Sequence, residues 1–112
     1  MRLALCAGVV LALAMRAVSA APPADDDARQ YVAFVEDFVG TCVSRNGVQI
    51  QVKNTHPTRK LRVWLDRYHM GSGTGDRSRS VLLPGAEPEP LGCSRTGHGT
   101  QEWRIVRAVF ID

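Results

Sequence analysis

The side chains with chemistry to offer are few: Cys42 and Cys93, the histidines His56, His69 and His98, and the run Gly71-Ser72-Gly73-Thr74-Gly75. A metal centre needs donors that converge, and these histidines are far apart in sequence, each in or beside an expected loop. His69-Met70 together with His98 would supply imidazole and thioether donors of the kind that suit copper. Spacing alone does not bring them together, so the simpler reading is three solvent-exposed loop histidines and no metal ligand is assigned. There is no nucleophile in an activating context and no carboxylate pair. The glycine run lacks the following helix and the lysine that a phosphate-binding loop requires. An enzyme is therefore the least supported class, and no cofactor is expected.

The cysteines point to structure and compartment instead. Residues 1–20 have the three parts of a secretory signal: the basic Arg2, an apolar run from Leu3 to Met15, and the small-residue box Val18-Ser19-Ala20. That run is about 13 residues against the roughly 20 of a spanning helix, and Arg16 interrupts it, so no membrane span is expected after cleavage. No cysteine directly follows the cut, where Ala21-Pro22-Pro23 stands, which argues against a lipoprotein. Cleavage removes Cys6 and leaves Cys42 and Cys93 to pair in an oxidising compartment, the periplasm or the medium. Closing a loop of roughly 50 residues stabilises the fold by about 4 kcal/mol on chain-entropy grounds. Free thiols or metal ligation are the competing reading, although nothing near Cys42 has ligand spacing. Cleavage also removes Arg2 and Arg16, leaving 12 basic against 11 acidic side chains and lowering the net charge from +3 to +1. Charge alone thus gives no case for a nucleic-acid partner or a polybasic membrane binder.

The elements that must position these residues follow from periodicity. Residues 21–27, rich in Ala, Pro and Asp, read as a disordered leader, and residues 28–112 as one domain. Apolar residues at Tyr31, Phe34, Val35, Phe38 and Val39 predict a short N-terminal helix, with Asp27 and Gln30 as a capping box and Gly40 as its stop; a strand is the alternative. From there the period is two. Val48, Ile50 and Val52 mark one strand, and Leu61, Val63 and Leu65 a second, with Arg62 and Trp64 on its opposite face. The glycine run reads as a flexible loop and Ser80–Leu83 as a short strand closed by Pro84-Gly85. Pro88 and Pro90 put the segment ending at Cys93 on a sheet edge. Trp103 to Phe110 is the last strand, and its phase change near Val106 predicts a bulge. Together these predict a mostly β fold, a small antiparallel sandwich of the immunoglobulin or fibronectin kind, with a small barrel as the alternative.

On this frame the binding candidates are Arg62, Trp64, Arg67, His69, Gly71, Ser72 and Gly73. Arg59, Lys60 and Arg62 form a basic cluster, with Arg67 further along the strand, and Lys60, Arg62 and Trp64 share one strand face. Trp64, set among charges, suits an interface anchor, whereas Trp103 beside Ile105 is expected inside. The competing reading makes the charges solvated outer residues that discourage edge pairing.

Two resemblances bear on function. Val52-Lys53-Asn54 before a turn, and Leu82-Leu83-Pro84-Gly85 before a later strand, are similar to features of the immunoglobulin-like accessory domains of bacterial exported proteins. That likeness implies a fold and no activity. Gly71-Ser72-Gly73 resembles the Ser-Gly loop with which periplasmic lysozyme inhibitors, small disulfide-linked β proteins, block their enzyme; the rest of that family's pattern around the loop is absent. The expected function is a non-enzymatic exported module that binds a protein or a cell-envelope component. An inhibitor of an envelope hydrolase such as lysozyme and a periplasmic copper-binding protein are the alternatives.

Overall fold

The computed structural model describes residues 28–111, so the signal and leader expected over residues 1–27 lie outside the described residues. Among the described residues the elements from Val32 onward follow in order: β1 Val32–Asp37, α1 Gly40–Val43, β2 Gln49–Asn54, β3 Leu61–His69, β4 Ser72–Leu82, β5 Glu89–Cys93, β6 Arg95–Thr96 and β7 Gly99–Phe110. They form two antiparallel sheets, β1-β2-β5 and β4-β3-β7-β6, which enclose one core as a small β-sandwich.

Alternation along β3 builds the core. Leu61, Val63 and Leu65 are fully buried while Arg62, Trp64 and Asp66 between them face outward. Ala28, Val32, Val52, Leu82 and Ala108 complete the buried cluster, and Tyr31, Leu91, Trp103, Ile105 and Phe110 pack against it. Each fully buried Leu or Val side chain favours folding by roughly 1.5–3 kcal/mol.

Asn54 joins the two layers at their closed end. It is buried, its Nδ2 donates to the carbonyl oxygens of Arg59 (2.7 Å) and Leu82 (3.0 Å), and its Oδ1 accepts from the His56 amide (2.8 Å). Around it, the His56 ring stands edge-on to Tyr31 and Phe110, with the Arg59 guanidinium over Phe110 at 3.9 Å. The Cys42–Cys93 disulfide spans a Cα separation of 5.2 Å and ties α1 to the end of β5.

Two expectations are corrected. Residues 31–39 form no helix: Val32 to Asp37 pairs along its whole length with β2, from Val32 opposite Asn54 to Asp37 opposite Gln49. Four consecutive apolar residues, Val32-Ala33-Phe34-Val35, satisfy helical and strand spacing alike, and a neighbouring strand with free backbone groups decides between them. Gly40 starts the single turn that carries Cys42 instead of ending a helix, and Asp27 of the expected capping box lies outside the described residues.

The glycine run is no flexible loop either. Met70 and Gly71 alone make the turn, with φ of 53° and 83°, the positive-φ pair of a two-residue hairpin whose twist matches its strands. Strand β4 then begins at Ser72, opposite His69, with Gly73 opposite Tyr68. Further along, the register shifts opposite Arg67. There Gly75 takes φ 87°, and Thr74 Oγ1 donates to the Arg67 carbonyl at 3.1 Å.

Other expectations hold. Pro90 lies in β5, an edge strand. The bulge in β7 falls at Val106, between Arg107 opposite Trp64 and Ile105 opposite Leu65.

Candidate functional site

The outer face of the β4-β3-β7 layer gathers charge and aromatic surface. Residues paired across antiparallel strands project to the same side, so the register defines this face row by row. Val81, Arg62 and Val109 form the first row, and Arg79, Trp64 and Arg107 the second. Arg77, Asp66 and Arg104 form the third, and Gly73, Tyr68 and Glu102 the fourth. Five arginines thus share the face with two acids and two aromatic rings, and Arg77, Arg79, Arg104 and Arg107 are exposed.

The rings and guanidinium groups interleave. The Arg107 guanidinium lies 5.0 Å from the Trp64 ring centroid, and that of Arg104 lies 3.8 Å from the Tyr68 centroid. Such stacking contributes roughly 0.5–1 kcal/mol at an exposed site and holds a flexible arginine with its hydrogen-bonding edge outward. Arg77 Nε and Nη2 donate to the two oxygens of Asp66 at 2.6 and 3.1 Å. That hydrogen bond, aided by the charge of Arg77, holds the Asp66 carboxyl below its ordinary pKa. Arg104 donates to Glu102 at 3.0 Å, which raises its own pKa further. Arg62 and Arg79 have no ion pair among the described residues, so the face carries a surplus of positive charge.

The candidate residues read from sequence divide between the two faces. Arg62 and Trp64 stand on the outer face as expected. Gly73 also belongs there, where a side chain would sit 3.7 Å from the Tyr68 ring. Arg67 and His69 alternate to the inner side: Arg67 is bound to the Asp76 carboxylate and to Gln101 Oε1 (3.0 Å), and His69 Nε2 lies 3.3 Å from Thr96 Oγ1. Ser72, opposite His69, shares that side, and Gly71 sits at the turn. The tract that resembles an inhibitor loop is therefore one residue of the turn, Gly71, followed by the start of strand β4.

Sequence reading missed Tyr68, Arg77, Arg79, Arg104 and Arg107. Alternate arginines at 77 and 79 were the available signal, while the bulge at Val106 conceals that Arg104 and Arg107 share a face.

Between β1 and β7 the sandwich opens into a cavity of about 650 Å³ lined by Phe34, Ile50, Gln101 and Trp103, among others. Trp103 is only partly buried, and its indole Nε1 is enclosed without a partner among the described residues. No group of three or more His, Cys, Asp or Glu side chains able to hold a metal occurs among the described residues. Nor is any helix among them long and apolar enough to cross a membrane.

Compared with known proteins, the chain matches no family model, no curated protein and no solved structure.

Proposed function

We propose that the protein is a non-enzymatic exported binding module and that the outer face of its β4-β3-β7 layer holds an extended anionic component of the cell envelope. The observation that carries this reading is the set of five arginines interleaved with Trp64 and Tyr68 on one exposed sheet face.

Guanidinium groups bind phosphate and carboxylate oxygens through paired hydrogen bonds, and those stacked on an aromatic ring are already oriented to do so. Along a strand, same-face residues recur about every 6.6–6.8 Å. Arg77 and Arg79 on β4, and Arg104 and Arg107 on β7, thus flank Trp64 and Asp66 as two basic rails. A linear polymer with repeating anionic groups fits such rails better than a globular partner does. The disulfide supports a compartment outside the cytoplasm, where such polymers are found and thiols are oxidised.

Retention on an immobilised polyanion, heparin or dextran sulfate as the probe, tests the proposal. The protein should be retained at physiological ionic strength and released by salt, and Arg79→Ala with Arg107→Ala should elute at markedly lower salt. Equal elution of the double variant, or capture by an acidic protein but by no polyanion, would reject it.

A further inference from the structure

We infer a second site, independent of the arginine face: the cleft where the sandwich opens between β1 and β7 takes a small organic ammonium ion, with Phe34, Ile50 and Trp103 around its apolar body and Glu36 at its charge.

The cleft arises because the inward-facing pattern of the strands outruns the core. On β1, Val32, Phe34 and Glu36 point to one side by alternation, and they stand opposite Asn54, Val52 and Ile50 of β2. Val32 and Val52 are buried, yet Phe34 is 39% exposed and Glu36 is exposed as well. The facing sheet behaves in the same way. Ile105, Trp103 and Gln101 follow one another on the inner side of β7, opposite Leu65, Arg67 and His69, and none of the three is fully buried. Inner faces left accessible on both sheets leave the interior unfilled. The space is about 650 Å³, within the range of small-molecule sites.

The walls are fixed by hydrogen bonds that commit most of their polar groups. The Gln101 amide donates to the Ser94 carbonyl at 2.8 Å. Its side chain ties β7 to the disulfide end of β5, with Nε2 donating to the Cys93 carbonyl at 2.6 Å, while Oε1 accepts from Arg67 at 3.0 Å. Ser94 Oγ accepts from the Val48 amide at 3.0 Å, and Glu102 is paired with Arg104. Glu36 alone is left over: its carboxylate has no ion pair among the described residues. No lysine, arginine or histidine among them lines the cleft. An uncommitted carboxylate between aromatic rings, with no cation in the wall, attracts a positive ligand and repels an anion.

The test is a fluorescence titration of the full chain carrying Trp64→Phe, which leaves Trp103 as its one indole. The probes are phenylbutylamine and phenylbutyrate, which share an apolar body and differ in the sign of their charge. The amine should change the Trp103 emission saturably, and the acid should bind roughly tenfold more weakly because attraction becomes repulsion. Glu36→Gln should weaken the amine about fivefold, and Phe34→Ala should abolish saturation. Both substitutions change exposed side chains, and unaltered thermal melts verify the fold. No saturable change, equal affinity for amine and acid, or equal amine affinity of parent and Glu36→Gln would overturn the assignment. So would a concentration-dependent dimer that Phe34→Ala dissolves, since a second copy of the chain would then fill the cleft. None of these outcomes touches the polyanion proposal, which is read on a separate column experiment with Trp64 in place.

Discussion

Asn54 and Asp66 show how differently a buried and a surface polar residue act in so small a protein. Asn54 satisfies three backbone groups, one from β4 and two from the turn between β2 and β3. Asn54→Ala would remove the side-chain donor to the Arg59 and Leu82 carbonyls and the acceptor for the His56 amide, and should cost about 2–3 kcal/mol, read from urea denaturation. Asp66 is only partly exposed and is paired with Arg77 at the surface, so its effect is electrostatic and local. Its carboxyl should titrate by NMR below the ordinary value of 3.8, and Arg77→Ala should return it toward that value. Because the folded-state pKa is lowered, what the pair adds to folding is present above the ordinary value and is lost as pH falls through the lowered one. Trp64 was legible as an outward ring because β3 alternates without interruption. Its neighbours Arg79 and Arg107 were not, because they meet it only through cross-strand register, which no single strand encodes.

At the scale of elements, local pattern succeeded where one period had no rival. Strands β2 and β3, the proline-marked edge of β5 and the bulge at Val106 all follow from alternation and its interruptions. Strand β1 did not, since its apolar run fits two periods and only pairing with β2 selects one. The β3-β4 hairpin failed for another reason. Five residues of Gly, Ser and Thr look mobile in isolation, yet two positive-φ residues suffice to turn the chain, and the rest continue as strand. The Gly71 conformation gives an expected outcome: Gly71→Ala should lower stability by about 1 kcal/mol, read as a shift in the urea midpoint, because a side chain at φ 83° is strained. Gly73, in ordinary strand conformation with ring contact only at 3.7 Å, should accept Ala with a smaller change.

For the whole molecule, the sandwich has a modest buried set, and covalent closure supplements it. The disulfide joins residues 51 apart in sequence. Reduction should lower unfolding stability by about 4 kcal/mol, measured by urea denaturation with and without reductant. The outer face of the larger sheet adds nothing to that core, yet it concentrates arginine and aromatic side chains in alternating register. A stability role does not call for such a face, whereas recognition of a regularly charged polymer does. The most direct test is NMR mapping of the folded protein titrated with a short sulfated heparin oligosaccharide. The account predicts shifts confined to the Trp64 indole N–H and the guanidinium signals of Arg62, Arg77, Arg79, Arg104 and Arg107. Shifts centred on Phe34, Ile50 and Trp103 at the opening between β1 and β7, or no shifts at all, would contradict it.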